Sequence, residues 1–85
     1  MSKLVQSVEK LIAETRNKLE KRNNWLQNSI NDFEKELPKH ESFSTSKDML
    51  TSYIGIYQNE INANRGILEL LDKSDEILLR YDLEN

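Results

Sequence analysis

Pro38-Lys39-His40-Glu41-Ser42-Phe43-Ser44-Thr45-Ser46 is the interruption that decides how this chain folds. Residues 1–37 contain neither glycine nor proline. Pro38 lacks a backbone donor and disfavours helix at Leu37, so a first helix is expected to end there. Thr45 followed by Asp48 reads as a capping box ahead of an apolar-periodic stretch. The expected elements are a helix over about 3–37, a turn over 38–45 and a helix over about 46–83. Both long stretches are rich in Leu, Glu, Lys, Arg and Gln, which favour helix, and neither alternates as a half-buried strand would. The predicted fold class is all-α: an antiparallel, coiled-coil-like two-helix hairpin, residues 1–85 forming one domain that assembles into a larger helical bundle.

Apolar spacing sharpens this. In the first stretch Leu4, Val8, Leu11, Thr15, Leu19, Arg22, Leu26, Ile30, Phe33 and Leu37 follow an eleven-residue repeat, with Val5, Ile12 and Trp25 at its edges. That period is close to a straight helix and does not demand a left-handed supercoil. The second stretch carries two stripes side by side. One is Leu50, Ile54, Tyr57, Ile61, Asn64, Leu68, Leu71, Asp75 and Leu78; the other is Ile56, Glu60, Ala63, Ile67, Leu70, Ser74, Ile77 and Tyr81. One partner helix covers a narrow seam, whereas so wide a face contacts two neighbours. Ile67, Leu70, Ile77 and Tyr81 are therefore the expected partner-binding residues.

An intramolecular solution competes with this. Asn23-Asn24 and Asn62-Ala63-Asn64-Arg65-Gly66 offer breaks at mid-length, and the alternative expectation is a hairpin folded over into a compact four-helix bundle. Gly55 and Gly66 each weaken a helix relative to alanine and are also candidates for close helix approach. In the unbroken hairpin Phe33 is expected near Tyr53 and Leu26 near Tyr57 or Ile61. Arg22, polar within the apolar stripe, is expected to form a mid-hairpin polar layer with Glu60 or Asn64. Phe43 is expected to fold back over the hairpin end.

Composition removes most chemistries. The chain has 85 residues, 36% hydrophobic and 32% charged, with no cysteine and a formal charge of −3. Disulfide frameworks, thiolate metal sites and cysteine nucleophiles are excluded. No apolar run reaches a membrane span and no signal-peptide core opens the chain, so an intracellular, cytoplasmic protein is expected. The sole histidine, His40, lies in the turn with no nucleophile motif beside it. Asp72, Asp75 and Glu76 cluster at helical spacing, yet no zinc, EF-hand, phosphate-loop or di-metal pattern appears. No enzyme, no cofactor, no metal and no small-molecule substrate is expected. Lys10, Arg16, Lys18, Lys21 and Arg22 give the first helix a basic middle, but Glu9, Glu14 and Glu20 interleave, which disfavours nucleic acid. The same stretch is too polar for a membrane-surface helix.

The expected function is non-catalytic: a protein–protein interaction or assembly subunit acting through an apolar helix face, its partner itself or another helical subunit. The alternative is a small monomeric helical regulator or inhibitor that docks an acidic face, Glu69, Asp72, Asp75, Glu76 and Asp82, on a basic protein target.

Overall fold

The computed structural model describes residues 3–42 and 44–84, without the side chains of Asp82 and Glu84. The expected packing of Phe43 lies outside the described residues. Helix α1 spans Lys3–Glu36, a 3-10 turn follows at Leu37–Lys39, and helix α2 spans Thr45–Glu84. Among the described residues there is no strand, and the two long helices pack as an extended antiparallel hairpin.

The ends of the helices follow from local chemistry. His40 N–H donates to the Leu37 carbonyl at 3.2 Å, closing the 3-10 turn. Pro38 sits at the start of that turn, where no backbone donor is needed. Entry into α2 lies one residue earlier than the Thr45–Asp48 box places it. Lys47 N–H donates to Ser44 Oγ at 3.1 Å, and Asp48 N–H donates to the Ser44 carbonyl at 3.1 Å. Ser44 is thus the N-cap. Ser44-Thr45-Ser46 offers three competing hydroxyls, and the backbone takes the first. Asp48 remains in the first turn, where its charge suits the helix dipole.

The hairpin measures 64 × 15 × 14 Å. Its radius of gyration is 19.1 Å, against roughly 12 Å for a compact domain of this length. The fold-over into four short helices therefore does not occur: both helices run unbroken through Asn23-Asn24 and Asn62–Gly66. The physical reason lies across the hairpin. Asn64 Nδ2 donates to Asn23 Oδ1 at 2.8 Å, so amides that would otherwise cap a helix end bond to each other. Neither glycine serves a close approach, because a Cβ built at Gly55 or Gly66 meets nothing within 4 Å.

In α2 the first stripe, Leu50 to Leu78, forms the seam, and each of its members is buried or half-buried. Its steps alternate four and three, a seven-residue repeat. The seam of α1 obeys the same repeat: Val5, Ile12, Leu19, Leu26 and Phe33 alternate with Arg16, Asn23, Ile30 and Leu37. Of the eleven-residue stripe, Leu19, Leu26, Ile30, Phe33 and Leu37 lie in the seam, and Val8 is half-buried. Its other members, Leu4, Leu11, Thr15 and Arg22, are exposed, and Val5, Ile12, Arg16 and Asn23 take their places against α2. Two helices that stay in contact along their length need one common period, and the strict heptad of α2 sets it. The centre of the core is Leu26, Ile30 and Ile61, with Ile54 and Tyr57 packed against it.

Candidate protein-docking face

Alternating steps of three and four put Ile67, Leu70, Ile77 and Tyr81 on a flank of α2 adjoining the seam. Burying one stripe leaves the other outside: these four residues are 42%, 61%, 64% and 48% exposed. Met49, Tyr53 and Ile56 continue the same flank toward the turn and are also exposed.

The face extends onto α1. Arg22 Nε and Nη2 donate to Glu60 Oε2 and Oε1 at 2.7 and 3.0 Å. Glu60 lies on the second stripe of α2, and Arg22 shares its flank of α1 with Leu4 and Leu11. The bidentate pair therefore ties those flanks to one side of the hairpin. Leu4 and Leu11, 67% and 62% exposed, join the α2 residues there. Sequence reasoning placed both leucines in the seam. The missed signal was doubling: Leu4-Val5 and Leu11-Ile12 are adjacent apolar pairs, as Ile67-Leu68 and Leu70-Leu71 are in α2.

Aromatic rings run along the half of the hairpin nearer the turn. Trp25 lies 5.7 Å from Tyr57, Phe33 lies 5.7 Å from Tyr57 and 6.1 Å from Tyr53, and the Arg22 guanidinium sits 4.7 Å above the Trp25 ring. These are the separations of tilted ring pairs and of a cation stacked on an indole. Tyr57 is half-buried in the seam, as its spacing predicts, while Trp25 is exposed. Beyond them, on the face that carries Arg22 and Glu60, lies a shallow apolar groove of about 370 Å³ lined by Phe33, His40, Met49, Leu50 and Tyr53. His40 Nε2 is 4.0 Å from Glu36 Oε2.

Two arginines of α1 are engaged with carboxylates of α2. Arg16 Nη2 donates to Asp72 Oδ1 at 2.7 Å and to Asp75 Oδ2 at 2.8 Å. The hydrogen bond that Arg16 donates to Asp75 is the main cause that raises the Arg16 pKa above its ordinary value. Two of the three acidic residues that cluster at helical spacing, Asp72 and Asp75, thus hold an arginine. The hydrogen bonds from Arg22 are the main cause that holds the Glu60 carboxyl below its ordinary range, partly opposed by desolvation.

That shift fixes a sign. A carboxylate depressed in the folded state stabilises the fold above its unfolded pKa, about 4.3. The contribution is lost as pH falls through the lower folded value. A double-mutant cycle with Arg22→Ala and Glu60→Ala should therefore give positive coupling at pH 7 that disappears in acid. Equal coupling at pH 7 and below the folded pKa of Glu60 would contradict the pairing.

Comparison with protein-family models, with curated protein sequences and with solved structures finds no match for this chain.

Proposed function

We propose that this chain is a non-catalytic protein–protein interaction or assembly subunit that works by covering the apolar face of its hairpin with another helical surface. One observation carries the reading. The chain exposes 6566 Å², whereas a compact monomer of 10.0 kDa exposes roughly 5,200 Å². The excess, about 1,300 Å², exceeds the roughly 800 Å² that each partner buries in a standard interface. Exposed apolar residues of both helices stand on one side of the hairpin. Ile67, Leu70, Ile77 and Tyr81 form the centre of the proposed contact, with Leu4, Leu11 and Ile56 beside them.

The same reading disfavours its competitors. Docking by an acidic face would call on Asp72 and Asp75, which Arg16 already holds, and the Asp82 side chain lies outside the described residues. Nucleic-acid binding would call on Arg16 and Arg22, and both are committed to carboxylates. Among the described residues no helix is long and apolar enough to cross a membrane. A cytoplasmic setting, a protein partner and no small-molecule substrate complete the proposal.

The test compares the wild-type chain with Ile67→Glu/Leu70→Glu by sedimentation and by circular-dichroism melting. Glutamate is a good helix former, so on a free surface the double variant should change little. The expected result is that the wild type either associates or, where monomeric, melts without cooperativity, and that the variant loses association. A strictly monomeric wild type that melts cooperatively, matched by the variant, would sink the reading.

A further inference from the structure

Two apolar stripes compete for the seam in the N-terminal half of α1. We infer that this half is a two-position element. Residues 3–18 can turn about the helix axis so that Leu4 and Leu11 replace Val5 and Ile12 against α2, and the clamp of Arg16 on Asp72 and Asp75 holds the observed position.

The stripe now in the seam is Val5, Ile12, Arg16 and Leu19; Val5 and Ile12 are 1% and 8% exposed. Its rival is Leu4, Val8, Leu11, Thr15 and Leu19, in which Leu4 and Leu11 are 67% and 62% exposed. The two lie one residue apart, so passing from one to the other is a turn of roughly 100°. From Leu4 to Thr15 the rival keeps the seven-residue repeat of α2. Only the step into Leu19 differs, four residues from Thr15 against three from Arg16. Paired helices absorb such a change of step as a local change in winding. Both stripes share Leu19, so the Asn23–Asn64 bond and the core of Leu26, Ile30 and Ile61 keep their places.

Apolar burial does not favour the observed position. Antiparallel helices that share the Asn23–Asn64 level bring Leu71 opposite Arg16 and Leu78 opposite Glu9. In the second position Thr15 and Val8 take those places, a threonine and a valine for two charged side chains. Two leucines replace a valine and an isoleucine beside them. Thr15 is already suited to burial, because its Oγ1 donates to the Leu11 carbonyl at 2.8 Å. No hydroxyl therefore enters the seam without a partner. Threonines bonded in this way also bend helices, and this one stands where the two stripes converge.

The clamp supplies the difference. Arg16 Nη2 lies 2.7 Å from Asp72 Oδ1 and 2.8 Å from Asp75 Oδ2. Turning the helix carries Arg16 toward solvent and takes it from the half-buried Asp75. The side chains of Arg16 and Asp72 are 29% and 70% exposed, so dissolved salt and competing charges reach the contact. Release of the clamp moves Leu4 and Leu11 off the exposed face. Control over that face rests on the interaction reading above, whereas the two positions do not.

Methyl nuclear Overhauser contacts to Leu71 and Leu78 separate the positions, and amide exchange at Leu26 and Ile61 reports whether the turn half is intact. In the wild type these contacts are expected from Ile12. In Arg16→Ala the ratio of Leu11 to Ile12 contacts is expected to rise at least about fivefold, with Leu26 and Ile61 still protected. An unchanged ratio, or loss of both contacts while the turn half stays protected, overturns the proposal. Two further variants decide the matter even where Arg16→Ala does not fold. Arg16→Leu removes the clamp but fills the first stripe, so Ile12 should stay against α2. Thr15→Leu/Arg16→Ala fills the second stripe, so Leu11 should lie there instead. The opposite assignment in either variant overturns the two-position element. These contacts lie between the helices of one chain, so their outcome is separate from whether the face binds a partner.

Discussion

Leu26→Ala is expected to remove the cooperative melting transition of this hairpin or to lower its midpoint by more than about 12 °C, from a loss near 3 kcal/mol. Leu26 is fully buried and forms the core centre with Ile30 and Ile61. Truncation to alanine removes the transfer energy of three carbons and opens a cavity between helices that have little else to close it. Among the described residues the buried apolar side chains are Val5, Ile12, Leu26, Ile30 and Ile61. A domain's whole stability is about 5–15 kcal/mol, and short chains lie low in that range. Leu79→Ala is the matched control, because Leu79 is exposed and should change stability by no more than about 0.5 kcal/mol. Circular dichroism at the helical band measures both. A Leu26→Ala variant that melts beside the control would mean that the seam is not where stability resides.

The second large effect concerns Asn23 and Asn64. Asn64 is buried, Asn23 half-buried, and the bond between them joins the helices at mid-length. Asn64→Leu alone leaves the Asn23 amide facing a hydrocarbon and should lower stability by about 1–3 kcal/mol. Replacing both with leucine completes an apolar layer at a heptad position. The pair should then melt above the wild type while losing the feature that fixes one register over another. Melting measures the first consequence; sedimentation and the number of amide resonances per residue in a nitrogen-correlated spectrum measure the second. A double variant less stable than Asn64→Leu alone would remove the argument.

These two sites also mark what could be read from residues alone. The hairpin was legible because Pro38 and the hydroxyl run at Ser44–Ser46 are local signals, and local signals end helices. The seam of α2 was legible because its members step by four and three throughout and are apolar except at Asn64 and Asp75. The seam of α1 was not, because Leu4-Val5, Leu11-Ile12 and Arg22-Asn23 each offer two neighbouring candidates, and periodicity cannot choose between them. The choice is made across the hairpin, where Arg16 reaches Asp72 and Asp75. Helix continuity through Asn23-Asn24 and Asn62–Gly66 was hidden for the same reason: local preference argues for a break, and the partner helix overrides it. Exposure of Ile67, Leu70, Ile77 and Tyr81 was anticipated from the width of the α2 face, while the contribution of Leu4 and Leu11 required the cross-helix pairing to be known.

Trp25 carries a practical consequence. It is the chain's only tryptophan, and its indole stands 5.7 Å from the ring of Tyr57 on the other helix. The molecule thus contains its own donor and acceptor for tyrosine-to-tryptophan energy transfer, one on each arm. Excitation spectra read this pair without any label, so the parting of the two arms can be followed as light.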